Sequence, residues 1–141
     1  MYDAHREIDH SGDIGVEARG TNLARLIENA TRGLFALQYR GTVAARLQRS
    51  LSVSAQSIDD LLVDWLNEVI AESAARGELY CGVVVTNAGA FDGGFRASGT
   101  VSGEAVTAGH DLRFDVKAAT YHALAVFEKE DGLVARVIFD L

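Results

Sequence analysis

The sequence predicts an α+β fold, two helices packed on a curved, mainly antiparallel β-sheet, within a single domain spanning residues 1–141. Three observations lead there. Two segments repeat apolar residues at helical spacing, the segments around them and most of the second half repeat at period two, and 141 residues suit one core. In order, the patterns read strand, helix, strand, helix and then a run of strands.

An early strand is expected from Asp13 to Arg19. Leu23, Leu26, Ile27, Ala30, Leu34 and Leu37 then line one face of a helix, with Asn22 as its cap. Arg25 at the third helical position leaves no capping box. Leu51, Val53 and Ala55 alternate as a strand. The second helix opens at Ser57, with Asp59 and Asp60 at the positive end of its dipole, and ends near Gly77. Its Leu61, Leu62, Trp65, Leu66, Val69 and Ile70 form a broad stripe to be buried.

Leu79, Cys81, Val83 and Val85 read as the next strand. Alternating runs follow at Phe95 to Gly103, Leu112 to Ala118, Tyr121 to Phe127 and Leu133 to Leu141, with turns at Asn87 to Gly89 and Asp131-Gly132. The glycine-rich stretch Asn87 to Gly103 has no GxxxxGK[ST] phosphate loop and reads as a flexible hairpin.

Composition narrows the function classes. With 48% apolar and 23% charged residues the chain is globular rather than disordered. A net charge of −7 opposes an extended phosphate-binding surface, so strong direct nucleic-acid binding is not expected. No apolar run is long enough to span a membrane, and MYDAHREIDH lacks the order of a signal peptide, so a cytoplasmic protein without membrane attachment is expected. The single cysteine, Cys81, forms no internal disulfide and is expected to pack in a strand.

Four segments carry candidate chemistry. In Asp9-His10-Ser11-Gly12-Asp13-Ile14-Gly15, two carboxylates and an imidazole precede a strand in a short loop that can aim oxygens at a hard cation. At the other end, Asp140 and the α-carboxylate of Leu141 lie one residue apart. Asp64 and Glu68 stand four apart on the polar face of the second helix. Between two strands lie Lys117, Tyr121 and His122, where a lysine and a histidine can serve as acid, base or phosphate ligand. Each segment also reads as ordinary turn, strand-end or surface chemistry. No serine or cysteine nucleophile stands in a recognisable motif, and the four histidines lack zinc-enzyme spacing.

Taken in order, these segments resemble the archease family. Asp9 to Gly15 is similar to its DHTADIG motif, Leu61 to Glu68 to its LLxxWLNE helix, Asp115 to His122 to its EVKAxTYH segment, and Val137 to Leu141 to its terminal VIFDI. The chain departs from the pattern where Ser11-Gly12 replaces Thr-Ala, where Asp115 replaces Glu, and in the proline-free loop Val106 to His110.

The resemblance implies an accessory protein, not an enzyme, that activates an RtcB-type RNA ligase in tRNA splicing and RNA repair. It would promote guanylylation of the ligase on its own histidine with GTP and Mn²⁺, and repeated turnover. By motif match a divalent cation, Ca²⁺ first and Mg²⁺ or Mn²⁺ second, falls to Asp13, Asp140 and the carboxylate of Leu141. Lys117 falls to partner contact, with Asp9, His10 and His122 as further candidates. The competing readings are a metal-dependent phosphohydrolase using Asp13, Asp140 and His122, and a general protein-binding or chaperone-like module.

Overall fold

The computed structural model of the chain describes residues 4–10 and 12–141, leaving out the side chain of His10. Its two helices sit against antiparallel strands, as the sequence predicts. One sheet is ordered β1 (His5–His10), β2 (Asp13–Gly20), β10 (Gly132–Asp140) and β8 (Ala118–Ala119), and β9 (Ala125–Lys129) also pairs with β10. A second sheet is ordered β4 (Leu47–Ala55), β6 (Gly94–Ala105) and β5 (Glu78–Phe91). A short ribbon joins β3 (Tyr39–Arg40) to β7 (Asp111–Leu112).

Helix α1 (Leu23–Gln38) starts where Asn22 accepts the Arg25 N–H at 2.9 Å. Its stripe Leu26, Ile27, Ala30, Leu34 and Leu37 is buried against β2 and β5. The approach to β2 is close: a Cβ on Gly33 would lie 2.4 Å from Val16 Cγ1, so a side chain there would push the helix off the sheet. The same helix seals the outer edge of β5. Arg25 donates to the Val85 carbonyl at 3.3 Å, Arg32 to the Val83 carbonyl at 3.5 Å, and the buried Glu28 accepts the Val85 N–H at 2.8 Å. Edge groups that would otherwise template strand pairing are thereby satisfied.

Helix α2 (Ile58–Arg76) opens on Ser57, whose hydroxyl accepts the Asp60 N–H at 3.1 Å, and closes at Gly77 in the left-handed conformation, φ 64°. All six apolar positions of the predicted stripe are buried. The Trp65 indole donates to Thr31 Oγ1 at 3.1 Å, and the Thr31 hydroxyl donates in turn to the Ile27 carbonyl at 2.6 Å. The polar edge of the largest core side chain is thus satisfied by α1.

Four boundaries differ from the sequence expectation. Asp9 and His10 are not in a loop but end a strand, β1, paired residue for residue with β2. The turn expected at Asn87 to Gly89 is strand; small residues pair as well as large ones, and an irregularity between Val85 and Asn87 absorbs the register. The reversal comes at Asp92-Gly93, with φ 48° and 78°, the Asp-Gly signal of a tight hairpin. The run Leu112 to Ala118 is mostly irregular, because Arg113 and Phe114 give their N–H groups to the Gln38 and Leu37 carbonyls at the end of α1, at 3.0 and 3.1 Å. The run Tyr121 to Phe127 begins as a turn and enters β9 only at Ala125. Among the described residues no helix is long and apolar enough to cross a membrane.

Candidate metal centre

Strands β2 and β10 are adjacent, and their register pairs Phe139 with Ile14. The ladder ends at that pair, and Asp13 and Asp140 are the next residues on the two strands, which the same register continued one step would bring opposite each other. Residues opposed in an antiparallel pair share a face, with Cβ atoms about 4.5–5.5 Å apart. Strand β1 extends this row through His10, paired with Asp13, and β8 extends it through Ala118, paired with Asp140. Both aspartates are exposed, whereas Ile14, Val16, Val137 and Phe139 turn the other way into the core.

The rows behind this one hold it in register. Gly15 lies between Ile8 and Ile138, and the next outward row is Arg6, Glu17 and Arg136 across β1, β2 and β10. Glu17 pairs with Arg6 at 3.1 Å and Arg136 at 2.6 Å and is only 4% exposed beneath them. A slip of one residue would turn Glu17 into the core and Val16 out of it, so the register that ends at Ile14 and Phe139, just before Asp13 and Asp140, is fixed.

Lys117 joins the row through its backbone, whose N–H donates to the Asp140 carbonyl at 2.8 Å. Its ammonium is exposed and pairs with Asp115. The short β8 stays in place through Asn67 of α2, which accepts the Ala119 N–H at 2.7 Å and donates to the Ala119 carbonyl at 3.2 Å, as a neighbouring strand would. Sequence reasoning assigned Asn67 no part in the site. The available signal was an amide directly after Trp65-Leu66, half-buried where the helix otherwise turns apolar residues inward.

The remaining candidates fall elsewhere. Asp9 pairs with Ile14, so strand alternation puts it on the opposite face from Asp13. His122 lies in the turn after Thr120, whose N–H bonds the Ile138 carbonyl at 3.0 Å, and its backbone is in none of the strands that end at Asp13 and Asp140. Asp64 and Glu68 are exposed on α2. Partial burial first, and then the charge of Asp60, raises the Asp64 carboxyl above its ordinary range. Tyr121 donates its hydroxyl to Asp60 at 2.7 Å, which with some burial pushes the phenol up to about 12.

Like charges set directly opposite on a sheet repel, and a hard cation relieves them. Among the described residues no three His, Cys, Asp or Glu side chains converge as a metal-binding group. Asp13, Asp140 and the exposed Leu141 are the residues that could hold a cation, and an all-oxygen set of that kind would suit Ca²⁺ or Mg²⁺, leaving positions for water or a partner.

Comparisons with known proteins agree with this architecture. Residues 5–141 match the profile of the Archease protein family (MTH1598/TM1083). The chain is 33% identical over 135 residues to the protein archease of Methanothermobacter thermautotrophicus, covering 94% of this chain and 95% of that one. To the protein archease of Archaeoglobus fulgidus it is 29% identical, covering 97% and 98%. The solution structure of Methanobacterium thermoautotrophicum protein 1598 superimposes with a TM-score of 0.86 at 29% identity over 98% of this chain and 99% of that one. A crystal structure from Thermotoga maritima, described as an archease and possible chaperone, shares the fold with a TM-score of 0.62 at 19% identity, covering 96% of each chain. From the full-length profile match and these relatives, the chain belongs to the archease family.

Proposed function

We propose that this protein activates an RtcB-type RNA ligase, promoting guanylylation of the ligase histidine by GTP and turnover, and performs no reaction itself. The observation that carries this reading is the end of the β2–β10 ladder, where the exposed Asp13 and Asp140 follow the last pair, Ile14 and Phe139, and the Lys117 N–H bonds the Asp140 carbonyl. Charged groups gathered at an accessible sheet end suit engagement of another protein's surface. Asp13, Asp140 and the Leu141 carboxylate would hold a divalent cation, Ca²⁺ before Mg²⁺ or Mn²⁺. When bound, the cation would neutralise the row and offer open coordination positions to a partner's oxygens. Lys117 would contact the partner, and the cytoplasm would be the site of action. With a net charge of −7, RNA would be held by the ligase rather than by this chain.

The deciding experiment is a reconstitution with the ligase from the same source, GTP and Mn²⁺. Faster ligase guanylylation in the presence of the folded protein, with no RNA joining by the protein alone, is expected. Absence of stimulation sinks the reading. Release of phosphate from phosphate esters by the isolated protein, lost in Asp13→Ala, would replace it with the hydrolase alternative.

A further inference from the structure

The second sheet has two edges, and the fold treats them differently. The outer edge of β5 is closed by Arg25, Glu28 and Arg32 of α1. On the other side β4 is the last strand of the order β4, β6, β5, and among the described residues no strand pairs with its outer side. It runs for nine residues, Leu47–Ala55, and follows β6 without a register shift. Its side chains bond other side chains, Arg49 to Glu78 and Ser52 to Ser98 and Arg96. Among the described residues no side chain bonds the backbone groups that β4 turns away from β6. A long, regular edge with no proline, lysine or bulge is a template for another strand.

The backbone decides first what fits there. Alternating N–H and C=O groups are met by a second extended strand. Side chains then choose which one. Gln48, Ser50, Ser52 and Ser54 are exposed and uncharged, Leu51 and Val53 turn toward the core, and the one charged residue, Arg49, is held by Glu78 at 2.6 Å. The strand can therefore lie against a copy of itself with no free like charges opposed.

Antiparallel pairing centred on Leu51 uses all nine residues and sets Ser50 opposite Ser52, and Gln48 opposite Ser54, on both sides of a two-fold axis. Serine pairs already serve this sheet, since Ser52 and Ser98 lie 3.2 Å apart across β4 and β6. The flanks agree with this direction. Exposed Arg46, in a salt bridge with Glu104, precedes the strand, and exposed Asp59 follows it. Antiparallel pairing brings each Arg46 to the end where the other copy carries Asp59, whereas parallel pairing would set like with like. The net charge of −7 on each copy is screened beyond about 8 Å at physiological salt, so the contact itself decides.

We propose that two copies of this chain associate through β4, antiparallel about a two-fold axis at Leu51, so that their second sheets join into one continuous sheet. Asp13 and Asp140 belong to the other sheet, and the pairing needs neither a cation nor a ligase.

The test uses the protein alone. Sedimentation velocity across a concentration series should show a monomer passing to a dimer, with a dissociation constant on the order of 10–100 µM for so small an interface. Ser50→Lys puts a cation beside its own copy near the axis and should weaken the dimer about tenfold, while the diluted variant melts like the wild type. Cross-linking then reads the register. Chains carrying Cys81→Ser with either Gln48→Cys or Ser54→Cys are treated with a short bismaleimide, singly and mixed. In the dimer residue 48 lies opposite residue 54 of the other copy, but about 20 Å from that copy's residue 48. Cross-links should form in the mixture and be scarce in either chain alone. A monomer at every concentration up to about 1 mM, a dimer indifferent to Ser50→Lys, or cross-linking no greater in the mixture than in the separate chains would each overturn the proposal.

Discussion

Two carboxylates facing each other across a β-ladder cost stability, since like charges directly opposite are unfavourable by a few tenths to about 1 kcal/mol. A cost of this kind is tolerated where the pair has a task. In metal-free buffer Asp140→Asn is therefore expected to melt at or above the wild type while losing divalent-cation binding, which calorimetry and titration would show together. A lower melting point in chelator would mean that Asp140 serves the fold. Glu78 shows the opposite behaviour. Arg49 reaches over β6 to grip its two oxygens at 3.0 and 2.6 Å, and this grip, joined by the Tyr80 hydroxyl at 2.9 Å and opposed by burial, lowers the carboxyl below its ordinary value. A carboxylate lowered in the native state stabilises fully above its unfolded pKa and loses that contribution as pH falls through the native one. Glu78→Gln should cost about 1–3 kcal/mol at pH 7. The gap from wild type should narrow below pH 4.5, the ordinary value, as acid protonates the native carboxylate. Melting curves across that range would check it, and a constant gap would deny the carboxylate its role. Little of this was legible residue by residue: Asp13 and Asp140 stood out by motif match, but nothing local in a sequence says that its two ends meet.

At the scale of elements, the helices were readable to within a residue because their signals are local. Asn22, Ser57 and Gly77 act on backbone groups three or four residues away, and burial follows the 3.6 period. The segment from Leu112 to Ala118 alternates like a strand and was misread as one, because its N–H groups go to the end of α1 and its far end is held by a side chain of α2. Sequence pattern carries no record of such partners. Asn67 is the clearest case, since it holds β8 with both ends of its amide. Asn67→Ala should cost about 2 kcal/mol by stranding two half-buried backbone groups. It should also speed hydrogen exchange at the Ala119 N–H and, if the proposed function holds, weaken ligase stimulation by loosening Lys117. Unchanged exchange at Ala119 would show that β10 alone holds the segment. Asn67→Asp keeps the acceptor but loses the donor, and should fall between the two.

Over the whole molecule, the central pairing joins the strand that follows Gly12 to the strand that carries Asp140, so the two ends of the described chain meet in one sheet. The Arg6–Glu17–Arg136 ladder and the apolar row beside it set the register, and the exposed row at the end of the ladder inherits that precision. A cation bound there would bridge β2 and β10 in the native state alone and stabilise the protein by linkage, by about 2.7 kcal/mol at a hundred times its dissociation constant. For a chain of this size that is a rise in melting temperature on the order of 10 °C. Adding a few residues after Leu141 turns its α-carboxylate into a peptide carbonyl while leaving Asp13 and Asp140 in place. Thermal melts with Ca²⁺, Mg²⁺, Mn²⁺ or chelator should then separate three cases. Wild type should gain the full shift, the extended chain a reduced one, and Asp13→Asn or Asp140→Asn none. All should keep the same melting temperature in chelator to within a few degrees, because the core beneath the row is untouched. Equal shifts in wild type and in the extended chain would remove Leu141 from the ligand set, and equal shifts in all four proteins would remove the metal site altogether.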